Sequence, residues 1–87
     1  MFYVYFLKSL VNQRYYIGHT NDIKLRLHQH NHGDVRSTHK FRPWMLLGFE
    51  IYEKRNEARW REYELKNHST KKKRLIKSLE EKIKQIA

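Results

Sequence analysis

Eighty-seven residues allow one small domain with a compact core, because a chain of this size buries only ~60–65% of the surface it exposes when unfolded. No cysteine is present, which excludes disulfides, thiolate metal sites and thiol nucleophiles; 39% hydrophobic and 14% aromatic residues exclude a purely solvated chain. Nineteen Lys and Arg against nine acids leave a net charge of +10, which calls for a polyanionic partner, nucleic acid or an anionic membrane surface.

The chain opens on its longest apolar run, Met1 to Leu7, far short of a membrane span and preceded by no charged leader. Neither secretion nor membrane insertion is expected, and the chain reads as cytoplasmic. Phe2–Leu7 is rich enough in aromatic and β-branched residues to be a strand. Polar Ser9–Arg14, with Asn12, suits a turn, and Arg14–Gly18 a second strand completing a hairpin. Alternation puts Phe2, Val4, Phe6, Tyr15 and Ile17 on the core side. Tyr5 and Tyr16 fall together on the other face, with their hydroxyls expected to point outward.

Thr20 or Asn21 can cap a helix running to about Asn31 and closed by Gly33. On it Ile23 and Leu27 stack four apart, and Arg26 and His30 share the neighbouring stripe. A loop through Ser37, Thr38 and Pro43 leads to Trp44–Tyr52, a strand hydrophobic almost throughout and therefore expected to be central. Asn56 can cap a second helix to about His68, and Ser69 or Thr70 a third, packed through Leu75, Leu79, Ile83 and Ile86. The order β-β-α-β-α-α predicts an α+β fold, helices against a three-stranded antiparallel sheet, in a single domain over 1–87.

Charge is uneven along this framework. Residues 1–53 carry seven bases and four acids, net +3; residues 54–77 carry ten bases and three acids, net +7; the last ten residues balance. A Lys-rich helix face is often merely solvated. Here four consecutive bases follow arginines one and two turns upstream, which favours phosphate contact. Arg59, Lys66, Lys71, Lys72, Lys73 and Arg74 are the expected nucleic-acid-binding residues.

Glu62 does not fit a packing role. Ala58, Glu62 and Leu65 share the inward stripe of the second helix, and an unpaired buried carboxylate is too costly to persist. It requires a metal, hydrogen-bond donors or a cation, of which Arg26 and Arg61 are the obvious choices. His28, His30 and His32 do not form a metal set by themselves, since His30 points elsewhere and no Cys or nearby acid completes it. Gly-rich phosphate loops and nucleophile elbows are missing. What remains is two phenols, a guanidinium, an imidazole and one carboxylate: Tyr5, Tyr16, Arg26, His30 and Glu62.

The ordered series Tyr3-Val4-Tyr5, Tyr16-Ile17-Gly18, Arg26 with His30 four later, then Glu62 resembles the GIY-YIG nuclease superfamily, and within it the small stand-alone bacterial members. Supporting text includes Asn21-Asp22, His30-Asn31-x-Gly33, Ser37-Thr38, Arg42-Pro43-Trp44 and Glu57-Ala58-x-x-x-Glu62, so that the likeness covers about residues 2–75. Tyr3 and Val4 replace the Gly and Ile of the first motif, and Arg74 stands where members often carry an Asn.

The resemblance implies a metal-dependent phosphodiesterase acting on nucleic acid, DNA above all, with Mg²⁺ (or Mn²⁺) as cofactor. Glu62 would be the metal ligand, Arg26 the phosphate-binding arginine, and Tyr5 and Tyr16 the motif tyrosines. Tyr16 or His30 would act as the general base, Tyr5 in a positioning role. The basic stretch would bind without sequence selectivity, leaving junctions, flaps or single strands as substrates, with no obligate protein partner. A nucleic-acid-binding module without turnover is the alternative on the same scaffold.

Overall fold

The computed structural model describes residues 1–86, and the side chains of residues 1–85. Strands β1 (Phe2–Ser9) and β2 (Tyr15–Thr20) form the hairpin, followed by helix α1 (Ile23–His32), a short 3₁₀ turn (His39–Phe41), strand β3 (Trp44–Tyr52), and helices α2 (Arg55–Asn67) and α3 (Ser69–Ile86). The sheet is antiparallel throughout in the order β2-β1-β3. This is the α+β architecture expected from the sequence, element for element. No helix among the described residues is long and apolar enough to cross a membrane.

The central strand is β1, not β3. Val4 to Leu7 are all buried, because β1 is paired on both edges and covered on both faces. Strand β3 lies at one edge, and its second half leaves Phe49 and Ile51 about half exposed. A continuous apolar run marks coverage of both faces, but it does not distinguish a central strand from an edge strand. The register of β3 slips between Phe6 and Leu7, where Leu47 is the extra residue. Across this bulge α3 approaches so closely that a Cβ on Gly48 would stand 2.8 Å from Leu79 Cδ2.

Each face of β1 has its own core. Val4 and Phe6, with Ile17 and Leu47, pack on Ala58 and Leu65 of α2 and Ile76 of α3; Leu75, Leu79 and Ile83 extend the α3 stripe as expected. The side chain of Ile86 lies outside the described residues. Tyr5 and Leu7, with Trp44, pack under α1 through Leu27.

Three helix starts differ from expectation by a residue or two. Helix α1 is capped by Asp22, whose carboxylate accepts from the Leu25 amide at 3.0 Å. Thr20 Oγ1 instead accepts from the Asp22 amide, tightening the turn before it. Lys54, not Asn56, precedes α2, its amide held by Glu57 Oε1 at 3.0 Å. Ser69 is the first residue of α3 rather than its cap. Gly33 does close α1, at φ +91.

Leu65 is fully buried where α2 meets the sheet. Replacing it with Ala should lower the unfolding free energy by about 2–5 kcal/mol, read as a fall in the urea midpoint at unchanged slope.

Candidate active site

Tyr5 and Gly18 are paired across the β1–β2 ladder. The phenol lies over the glycine so closely that a Cβ there would stand 2.5 Å from Tyr5 Oη and 3.0 Å from the Tyr16 ring. Gly18 therefore provides the space in which the two phenols meet. Their ring centroids are 6.1 Å apart, and His30 sits against both, 5.7 Å from Tyr5 and 4.9 Å from Tyr16.

The Tyr5 hydroxyl does not point outward as alternation suggested. Tyr5 is 2% exposed, and its oxygen is 2.8 Å from His30 Nε2. On the other side of the imidazole, Nδ1 is 2.7 Å from Thr38 Oγ1. Both ring nitrogens are thus engaged in a wholly buried chain, Tyr5–His30–Thr38. Trp44 holds its far end, donating from Nε1 to the Thr38 carbonyl at 3.0 Å. Asn31 ties α1 to β3, accepting from the Trp44 amide at 2.6 Å and donating to its carbonyl at 3.1 Å.

Burial, reinforced by the nearby Arg26 guanidinium, lowers the pKa of His30 to about 4, so the ring is neutral at pH 7. Burial pushes the Tyr5 phenol up to about 12; Arg26 opposes that rise, while Tyr16 and the Glu62 carboxylate add to it. Arg26 lies one turn before His30, half-buried, with Nη1 donating to Gln29 Oε1 at 3.0 Å. Among the described residues no carboxylate pairs with its guanidinium.

Glu62 reaches the same region from α2. Its partners are neither Arg26 nor Arg61: His19 Nδ1 is 3.2 Å from Oε1, and Lys66 Nζ is 3.6 Å from Oε2. Arg61 is committed to Glu50 and Glu64. The Lys66 ammonium also stands 5.5 Å from the centroid of the Tyr16 ring. Tyr16 is half-buried, and among the described residues its hydroxyl takes no hydrogen-bond partner. Residues from the α1 face of the sheet and from α2 therefore meet around the outer edge of β2.

Residues 1–75 of the chain match the GIY-YIG catalytic domain model. The chain belongs to the GIY-YIG family. UPF0213 proteins of Staphylococcus aureus strains Mu50 and N315 are each 42% identical over 64 residues, covering 71% of this chain and 78% of theirs. The solution NMR structure of a UPF0213 protein from Bacillus halodurans aligns with a TM-score of 0.55 at 32% identity, over 91% of this chain and 85% of that one. The GIY-YIG family is nuclease-type, and nucleic acid is the substrate class it suggests.

The expected nucleic-acid-binding residues do not form one patch. Lys66 reaches the site and Arg59 is exposed on α2. Lys71 pairs with Glu64 at 3.2 Å, and Lys72 and Lys73 border a cavity of about 520 Å³ beside Tyr15. Arg74 is exposed. Four consecutive helical residues, about 100° apart, cannot face one strand.

Sequence reasoning passed over two residues here. Strand alternation from Ile17 directs His19 toward α2, which was the available signal. Thr38 stands in the Ser37-Thr38 text of the family likeness, but that its buried hydroxyl meets a histidine is a feature of the fold.

Three outcomes follow for the His30 chain. Gly18→Ala should displace the Tyr5 ring and lower stability by about 1–3 kcal/mol. Because His30 is held below its unfolded pKa of ~6.5, stability linked to it is intact above that pH and is lost as pH falls toward 4. The loss is about 3 kcal/mol, and should be absent in His30→Gln. NMR titration should show His30 unprotonated throughout pH 5–8.

Proposed function

We propose that this protein is a divalent-metal-dependent endonuclease hydrolysing phosphodiester bonds in DNA, selecting its substrate by structure rather than by sequence. The observation that supports this best is the convergence of a guanidinium that no carboxylate among the described residues holds, a phenol with an open hydroxyl and a carboxylate around one sheet edge.

Among the described residues no cluster of three or more His, Asp or Glu is arranged to hold a metal ion. One carboxylate fits the way Mg²⁺ binds, retaining several waters and taking its other ligands from substrate oxygens. Glu62 would hold Mg²⁺ (or Mn²⁺), with His19 the nearest second donor. When bound, the ion supplies positive charge to the phosphate as charge builds on its oxygens.

The remaining work falls to the chain itself. Arg26 offers two parallel donors to the scissile phosphate, a fork that Lys could not reproduce. Tyr16 is the better-placed base. Its hydroxyl is open to an attacking water, and the Lys66 ammonium stands 5.5 Å from the centroid of its ring. His30 has no free nitrogen and is neutral, so its role is to fix the Tyr5 phenol. Water attacks phosphorus in line, its proton passes to the Tyr16 phenolate, and the P–O bond to the leaving alkoxide breaks, the alkoxide taking a proton from solvent.

A binding module without turnover is the second reading, favoured by the engagement of both Glu62 oxygens within the chain. It predicts affinity indifferent to Mg²⁺ and to Glu62→Gln. Cleavage of labelled branched, flapped and duplex DNA with Mg²⁺ separates the two. Arg26→Ala, Tyr16→Phe and Glu62→Gln should each lower the cleavage rate by ~10²–10³ or more, while Glu62→Gln binds DNA normally in EDTA. Equal cleavage by all four proteins would overturn the assignment.

A further inference from the structure

Helix α2 carries two large aromatic side chains that no packing role explains. Trp60 is 65% exposed and Tyr63 59% exposed, on a helix whose inward face is already filled by Ala58 and Leu65. The two rings stack on each other with centroids 5.6 Å apart and planes at 26°. Together with Asn56 and Arg59 they line a shallow cavity of about 330 Å³.

Their position relative to the candidate active site follows from helical geometry. At about 100° per residue, the order around α2 from Glu62 is Lys66 and Arg59, then Tyr63, then Asn56 and Trp60. A carboxylate at the sheet edge, two cations and an aromatic stack therefore form one continuous track across the helix. We infer that Trp60 and Tyr63 are a stacking platform for unpaired bases of a single-stranded nucleic acid whose backbone crosses Lys66 and Arg59.

Charge complementarity selects this occupant. The platform lies in the segment carrying net +7, which repels the same face of a second copy and attracts a phosphate backbone. Any base can stack on an exposed ring, so the contact tolerates sequence. Asn56 offers an amide to a base edge. The inference rests on the nucleic-acid reading but not on turnover, and it gives structure selectivity a physical source: strands with unpaired bases gain a contact that duplex cannot make.

Oligothymidylate and a duplex of equal length provide the test, with binding followed in EDTA by anisotropy. Trp60→Ala and Tyr63→Ala should each weaken oligothymidylate binding on the order of ten- to a hundredfold, leave duplex affinity unchanged, and leave the salt dependence of both intact. Trp60→Phe should retain most of the affinity. Intrinsic fluorescence should be quenched by oligothymidylate through Trp60, because Trp44 is only 4% exposed. Unchanged oligothymidylate affinity in the alanine variants would overturn the inference, as would equal losses on both DNAs. So would a wild-type dimer in sedimentation that Trp60→Ala dissolves, since the rings would then be a self-association surface. These readings need no cleavage, so a catalytically silent protein would leave them standing.

Discussion

The buried chain from Tyr5 through His30 to Thr38 is the constraint on which the rest of this molecule depends. All three side chains are sealed from solvent, where a polar group left without a partner is costly. Each finds its partner only if β1, α1 and the loop before β3 are all in place. The chain therefore works as a positional lock among three elements distant in sequence. Because Arg26 sits one turn from His30 on the same helix, locking the imidazole also fixes the guanidinium beside the phenols. A buried neutral network thus determines where a half-buried cation stands.

The two sides of the sheet contribute different chemistry. From the α1 face come neutral aromatic groups and one arginine. From α2 come a carboxylate and an ammonium, with His19 of β2 between them and the sheet. The two sides meet only because β2 is an edge strand around which both can reach. Gly18 matters on the α1 face alone, as any side chain there would occupy the space where the two phenols meet.

Much of this was legible in the sequence, and the exceptions have physical causes. Strand and helix order followed from period and punctuation, since Gly33 and the alternation in β1 are local signals. The five side chains stand out in the sequence as an ordered series of motifs, although Tyr5 also packs in the core beneath α1. Strand order within the sheet was misjudged for Trp44–Tyr52, because hydrophobicity reports coverage of faces and not pairing of edges. The Tyr5 hydroxyl was placed in solvent because alternation identifies a face but not what covers it, and α1 covers this one. The partners of Glu62 were missed because proximity across the β2–α2 gap is a tertiary fact. The basic run at Lys71–Arg74 is contiguous in sequence, but winding into a helix points its members in different directions.

Nothing among the described elements pairs with the outer side of β2, so the rim where the phenols, guanidinium and carboxylate gather stays open along its length. A polymer can be laid sideways against such a rim at any interior point, with no free end to find and no tunnel to thread. Long or closed molecules are then as accessible as short ones, and what limits departure is the grip of the positive charges rather than the opening of an enclosure.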